Sequence, residues 1–344
     1  MVAHKENGLE ERVAQLRAYI CERVIGQDMP VRRLVDAVVP GELGLTPAGA
    51  PKTLALICGP TGTGKTMAVQ EMSHFLYGDE SKVARIDMGN FTTEDSIKML
   101  LGESRKDCGI LGEQISVMRK SGGSFLLLDE IEKAHPKVVD MLLAMEAARL
   151  QLSNGEIVDL SELHIFATSN LAAKELIEAG QQAERTLRRI VEEAAMDFFR
   201  PEIFARFQVV VVYGMLSQKS QLAICRQMLE KELRFQERNL AGRLGVPAHR
   251  IHVDDGVFGR LVNQGFHRDL GARPMRNVVE WRVREAVSAA CIGGRLVRGA
   301  SESLLALDEG GNGLRLVTPR QAHILPARKS TNAIKIEQDG GATA

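Results

Sequence analysis

No run of about eighteen apolar residues occurs anywhere in the chain, so no segment reads as a membrane-spanning helix. The polar start Met1-Val2-Ala3-His4-Lys5 is not a secretory signal. Excess charge is missing as well, since 44 Lys and Arg face 44 Asp and Glu. That balance gives no support to bulk nucleic-acid binding and leaves only local patches. Cysteine is sparse: Cys21, Cys58, Cys108, Cys225 and Cys291 are scattered and form no Cys-x-x-Cys pair. They suggest neither a zinc site nor a disulfide framework, and suit reduced thiols. Trp281 is the only tryptophan, and the only tyrosines are Tyr19, Tyr77 and Tyr213. There is no internal repeat. These absences predict a soluble, cytoplasmic chain, whose 344 residues have room for two domains of ordinary size.

What is present centres on Gly59-Pro60-Thr61-Gly62-Thr63-Gly64-Lys65-Thr66. Two glycines five apart, followed by Lys and a hydroxyl residue, fit the phosphate-loop pattern (Walker A). Residues 53–58 before it form a short apolar run that reads as a buried parallel strand. Residues 67–77 after it are helix formers. In that setting the glycines let backbone N–H groups face the β- and γ-phosphates, and the helix N-terminus adds a favourable partial charge. Lys65 would neutralise phosphate charge and the Thr66 hydroxyl would hold Mg²⁺. A glycine-rich turn that merely links strand to helix is the plainer alternative. Pattern and context together favour a nucleoside triphosphate with Mg²⁺.

The second decisive stretch is Phe125-Leu126-Leu127-Leu128-Asp129-Glu130 (Walker B). It reads as a buried strand with two carboxylates emerging at its carboxyl end, where open α/β sheets bind ligands. Asp129 is placed to hold Mg²⁺ and Glu130 to polarise the attacking water. Residues 163–168 form a further strand ending in Ser169-Asn170, and Asn170, between the two motifs, is suited to orient that water. With strands at residues 83–88 and 209–212 the pattern is strand and helix in alternation, an α/β fold with a three-layer parallel sheet.

The remaining elements fall around this frame. Leu9, Val13, Leu16, Ile20 and Val24 mark an amphipathic helix ending at Gly26. Asp28 is expected to cap a second helix running to about Val39. Thr92 or Thr93 is expected to cap a helix over residues 93–101. Beyond Tyr213 the character changes. Ser217 caps a long helix with Leu222, Cys225, Leu229 and Leu233 on one face. A short strand at residues 251–253 and a helix at 255–264 follow. Pro274 opens a last helix lined by Val279, Val283, Ala286, Val287 and Ala290. Residues 304–307 and 314–317 read as a hairpin. The expected domains are residues 1–213, a nucleotide-binding α/β domain; 214–318, a smaller and mainly helical lid domain; and 319–344, a loose tail.

Together these motifs resemble the AAA+ ATPases, and among them the second-ring ATPase domain of the Clp-type unfoldases and disaggregases. The likeness runs from Val24-Ile25-Gly26-Gln27 through the phosphate loop and the segment from Leu127 to Pro136. It continues through Thr168-Ser169-Asn170, the segment from Phe199 to Phe207, and Gly271-Ala272-Arg273-Pro274-Met275-Arg276. The resemblance implies a γ-phosphate sensor at Asn170, an arginine finger at Arg206 reaching the ATP of the next subunit, and a lid-domain sensor at Arg273. Val24 and Ile25 would flank the adenine. A finger acting between subunits implies a homo-hexamer.

The sequence also departs from that family. Where the unfoldases carry Gly-Tyr-Val-Gly to grip a threaded polypeptide, residues 102–112 hold no aromatic. Ile110 and Leu111 either substitute for the grip or pack at the start of the next helix, the second being favoured. No Ile-Gly-Phe or Ile-Gly-Leu tripeptide for docking on a peptidase stands between Leu171 and Phe198. The expectation is a stand-alone, single-ring, chaperone-like ATPase that remodels or unfolds a protein substrate or assembly. The alternatives are an ATP-switched regulatory or assembly module without threading and, third, a nucleic-acid-directed AAA+ protein. The neutral charge, the absence of a Gly-Ala-Phe-Thr-Gly-Ala loop and the brevity of Arg105-Lys106 and Arg328-Lys329 speak against that third reading.

Overall fold

All six residues of Thr53–Cys58 are buried, as an unbroken apolar run requires of a strand covered on both faces. The structure, a computed structural model, describes residues 3–79, 82–296 and 299–317. Its strands are β1 (Thr53–Cys58), β2 (Val83–Asp87), β3 (Phe125–Asp129), β4 (Arg149–Gln151), β5 (Ile157–Asp159), β6 (His164–Ser169), β7 (Val209–Val212), β8 (Arg250–Val253), β9 (Glu302–Leu307) and β10 (Leu314–Val317). Its helices are α1 (Ala3–Arg23), α2 (Asp28–Glu42), α3 (Lys65–Tyr77), α4 (Ser96–Leu101), α5 (Gly109–Lys120), α6 (Pro136–Val139), α7 (Met141–Glu146), α8 (Ala173–Ala179), α9 (Glu184–Phe198), α10 (Pro201–Phe204), α11 (Gln218–Leu244), α12 (Asp255–Gly265) and α13 (Arg273–Ile292).

Two compact units divide the chain. Residues 1–229 and 261–279 form the first, and residues 230–260 and 280–344 the second. In the first, five strands pair in the order β2-β3-β6-β1-β7, every pairing parallel. Side chains alternate between two cores. Ala55, Ile57, Phe125, Leu127 and Phe166 meet Leu16, Ile20, Val31, Val35 and Met72 from α1, α2 and α3. Leu54, Leu56, Leu126, Leu128 and Ile165 meet Leu111, Ile115, Leu142, Val191 and Ala195 from α5, α7 and α9. This is the expected three-layer parallel α/β fold.

Order matters more than strand count here. β6 lies between β1 and β3, so the carboxyl ends of the strands carrying the phosphate loop, Asn170 and Asp129 stand side by side.

Several local expectations need correction. Asp28 sits inside the first turn of α2, and Gln27 at the N-cap makes no side-chain cap. Its amide instead clamps Gly214, donating to the Gly214 carbonyl at 2.9 Å and accepting from its N–H at 3.3 Å. The same helix runs through Pro40 to Glu42. A proline so near the end forfeits only one bond of the helical ladder. α4 begins at Ser96, beyond Thr92 and Thr93. Ser217 does accept from the Ser220 N–H, at 3.1 Å, while Leu222 on the same helix is exposed. The β4–β5 hairpin was not expected. Leu111 is fully buried and Ile110 packs on the core beside it, as the packing reading of that pair requires.

The second unit holds a three-stranded sheet, β10-β9-β8, with β9 antiparallel to β10 and parallel to β8. The hairpin is therefore present, joined by β8 into a larger sheet. Leu233, Leu240, Val283, Ala286, Leu305 and Leu316 are buried within it. Glu232, also buried, accepts from the Arg284 guanidinium at 3.1 Å and from the Gln236 amide at 2.8 Å. The expected tail lies outside the described residues. Among the described residues, no helix is long and apolar enough to cross a membrane.

Candidate active site

Every side chain of the candidate site belongs to the first unit. β1 ends at Cys58, and the loop after it folds back over its own lysine. Lys65 is 8% exposed. Its ammonium donates to the Gly59 carbonyl at 2.6 Å, the Pro60 carbonyl at 2.9 Å and Asn170 Oδ1 at 2.9 Å. Burial pushes its pKa down to about 8, against the pull of neighbouring groups that include Glu132, Asp129 and Glu130. The Thr63 hydroxyl donates to the Pro60 carbonyl at 2.8 Å and closes the loop. The first N–H groups of α3 lack intrahelical partners, as at any helix start, and form a natural anion seat.

Two glycines interlock at the outer side of the loop. Gly62 has φ +70°, and a Cβ there would stand 2.2 Å from the Leu270 carbonyl oxygen. Gly271 has φ +59°, and its Cβ would stand 2.5 Å from the Thr61 carbonyl oxygen. The Ala272 N–H donates to the Gly62 carbonyl at 3.3 Å. Only residues without a Cβ permit this approach. It sets Arg273, exposed at the first residue of α13, directly after the segment that touches the phosphate loop. On the other side Val24 lies against Gly64, its Cγ1 2.9 Å from where a Cβ would be. Ile25 beside it is half-buried.

Asp129, at the tip of β3, is surrounded. Oδ1 accepts from the Thr66 hydroxyl at 3.0 Å and from the Thr168 hydroxyl at 2.5 Å. Oδ2 accepts from Arg85 Nε at 3.1 Å and Nη2 at 2.5 Å. Glu130 follows with φ +58°, a left-handed conformation that costs a non-glycine residue roughly 1 kcal/mol or more. Its N–H is held by Thr168 Oγ1 at 3.0 Å. Its carboxylate pairs with Lys133 at 2.5 Å through Oε2 and meets Asn170 Nδ2 at 3.4 Å through Oε1.

Asn170 thus touches both motifs. Arg206 is not among the residues brought together. It follows α10, half-exposed, and pairs at 3.2 Å with Glu146 at the end of α7. Arg85, Glu132, Lys133, Thr168 and Gln27 are structural partners to which no motif assigns a role. All but Arg85 lie inside motif segments, and only the fold shows what they touch.

Thr66 and Asp129 offer hard oxygen donors of the kind Mg²⁺ takes. Among the described residues, no group of three His, Cys, Asp or Glu could hold a metal ion. A cation here would complete its shell with phosphate oxygens and water.

Comparison with known proteins finds two family models along the chain. Residues 50–210 match the family model for the AAA domain (Cdc48 subfamily), and residues 220–303 match that for the C-terminal D2-small domain of ClpB protein. The chain belongs to the Clp-type AAA+ proteins. Heat shock protein 100 of Trypanosoma brucei brucei is 33% identical over 313 residues, 88% of this chain and 35% of that protein. A chaperone protein ClpB of Propionibacterium freudenreichii is 30% identical over 294 residues, 84% of this chain and 33% of that protein. This AAA+ chain spans about a third of the length of these relatives. Its fold matches that of about half of the Hsp104 chain. An S. cerevisiae Hsp104–ADP complex superimposes with a TM-score of 0.71 at 24% identity, covering 88% of this chain and 51% of that one. A closed-state Hsp104 with ATPγS and FITC casein gives 0.73 at 23% identity, covering 89% and 52%.

Proposed function

We propose that this protein hydrolyses ATP and uses the cycle to remodel or unfold a protein substrate or protein assembly. The observation that carries the reading is Asn170, bonded at once to Lys65 of the phosphate loop and to Glu130 of the acidic strand tip. The loop and the start of α3 would seat the phosphates, with Lys65 neutralising them and Val24 and Ile25 beside the adenine. Thr66 and Asp129 would hold Mg²⁺, which when bound offsets charge between the β- and γ-phosphates. Glu130 would take a proton from the attacking water while Asn170 orients it. Arg273 would meet the phosphates from α13. Arg206 would leave Glu146 and reach the ATP of a neighbouring subunit in a homo-hexamer. The relatives' names, heat shock protein and chaperone, support a protein substrate, and the casein in one Hsp104 complex supports a polypeptide. For the division of labour we take residues 1–213 as the nucleotide-binding part and residues 214–318 as the lid, in a cytoplasmic protein without peptidase docking.

The test is Glu130→Gln, which keeps the size of the side chain and removes the base. It should retain ATP affinity within about twofold and lose turnover by about 10²–10⁴. Used as a trap in lysate with ATP, it should hold polypeptide. Absence of Mg²⁺-dependent ATPase in the unaltered protein at any concentration would defeat the reading.

A second reading, an ATP-switched assembly module without threading, is favoured by one observation. The loop at residues 102–109 is closed on itself. Asp107 accepts from the Glu103 N–H at 3.0 Å and the Gly109 N–H at 2.8 Å, and these bonds hold its carboxyl below the usual range. Glu103, Arg105 and Lys106 are exposed there, and no aromatic is present. A tyrosine grafted into that loop should confer no unfolding if the switch reading is right.

A further inference from the structure

An asparagine amide has two unlike ends, and turning it over exchanges a carbonyl acceptor for an NH₂ donor. At Asn170 the surroundings decide which end faces where. Oδ1 accepts from Lys65 at 2.9 Å and from the Thr61 hydroxyl at 3.3 Å. Nδ2 donates to Glu132 Oε1 at 2.9 Å and more distantly to Glu130. Turned over, NH₂ would face an ammonium and the carbonyl would face two carboxylates. Lys65 and Glu132 are therefore the two locks on this amide.

They are not equally durable. Each of the three Lys65 protons already has an acceptor, so seating a phosphate requires it to release at least one of them. Glu130 must likewise turn to water in order to act. Glu132 has neither obligation. Oε1 also accepts from the Asn170 backbone N–H at 3.0 Å, so one oxygen fixes both the main chain and the side chain of that residue. Its own backbone is held in a one-turn 3₁₀ helix, Ile131–Lys133, pinned by the fully buried Ile131. The other oxygen, Oε2, is buried without a hydrogen-bond partner among the described residues. A carboxylate is a costly group to leave half-satisfied. A charged acceptor, however, grips an amide about twice as strongly as a neutral one.

We propose that Glu132 is the positioning residue of the site. It holds the Asn170 amide with its carbonyl towards the phosphate loop after nucleotide has drawn Lys65 away. This rests on the reading of the site as ATP-hydrolysing. Both hydrogen bonds that Glu132 Oε1 accepts come from Asn170, so its effect would pass through that residue.

The experiment is a double-mutant cycle on the full chain with Glu132→Ala, Glu132→Gln, Asn170→Ala and the Glu132→Ala/Asn170→Ala pair. Turnover, the dissociation constants of ADP and ATPγS, and thermal midpoint are read for each. Glu132→Ala should lower turnover about ten- to a hundredfold, the range for a residue that orients a working group. It should weaken ATPγS more than ADP, with ADP held within about twofold. Glu132→Gln, whose carbonyl still accepts, should recover part of the loss. In the Asn170→Ala background Glu132→Ala should cost nothing further. Equal losses in both backgrounds would overturn the role of Glu132, as would ADP and ATPγS weakened alike with a lowered midpoint. Failure of the unaltered chain to bind either nucleotide would overturn the ATP-site reading beneath it, a result distinct from additivity.

Discussion

Lys65 makes the affinity of the site a function of pH above neutrality. Its ammonium is buried, and that burial holds its pKa at about 8 in the nucleotide-free protein. Phosphate oxygens favour the charged form, so binding raises the pKa. A group whose pKa rises on binding supports binding fully below its free value, and loses that support as pH rises through it. With a free pKa of about 8, the charged fraction falls from about nine-tenths at pH 7 to about one-tenth at pH 9. ADP should therefore bind about tenfold more weakly at pH 9 than at pH 7, a difference of about 1.4 kcal/mol. ADP is the better probe because no hydrolysis intervenes. Titration calorimetry at pH 9 in two buffers of different ionisation enthalpy should report an uptake approaching one proton per nucleotide, and at pH 7 almost none. A flat dissociation constant with no proton uptake at pH 9 would refute the reasoning, since the lysine would then be charged before nucleotide arrives. The same shift has a signed effect on folding. Between pH 8 and pH 10.5 the unfolded chain holds a proton that the folded one has lost, so this lysine makes nucleotide-free protein more stable as pH rises through that window.

Three further outcomes follow from the geometry. Arg206→Ala breaks only a half-exposed ion pair with Glu146, so its thermal midpoint should move by no more than about 2 °C. Its turnover should fall about 10³-fold if the guanidinium serves a neighbouring site, and a large loss of midpoint with turnover intact would mark it as structural. Gly62→Ala drives a Cβ to 2.2 Å from the Leu270 carbonyl oxygen at a positive φ, so it should destabilise the fold by about 1–3 kcal/mol in urea titration and weaken ADP binding. At the far end of the sheet the Glu42 carboxyl is held down at about 2, chiefly by its hydrogen bond to buried His164. Its contribution is whole above about pH 4.5 and is lost as pH falls towards 2. Glu42→Gln should accordingly flatten the acid-unfolding curve in that window and leave the neutral midpoint less stable.

The parallel strands were legible because burial on both faces leaves an unbroken apolar run, as in Leu126-Leu127-Leu128. The phosphate loop was legible for a different reason: its chemistry needs specific residue types at fixed short spacing. What short spacing cannot carry is partnership across the sheet. Arg85 meets Asp129 from 44 residues away, Glu132 meets Asn170 from 38, and Gln27 meets Gly214 from 187. Each pairing depends on strand order, and β6 entering between β1 and β3 leaves no periodic trace in the sequence. Gln27 shows how this also misleads local rules. Next to Asp28 it looks like an ordinary helix start, yet its amide is committed to a distant loop and the cap goes unmade.

The β4–β5 hairpin, by contrast, carried a readable signal, Asn154-Gly155 between alternating apolar residues, with Gly155 at φ +88°. Glu130 lies beyond both kinds of rule. Neither propensity nor pattern favours glutamate in a left-handed conformation, and the strand before it would run on more cheaply without it. The Thr168 hydroxyl holding its N–H, and Lys133 and Asn170 holding its carboxylate, keep it there. A residue kept against its own backbone preference by three partners marks a point of held backbone strain, a feature that clusters at functional sites.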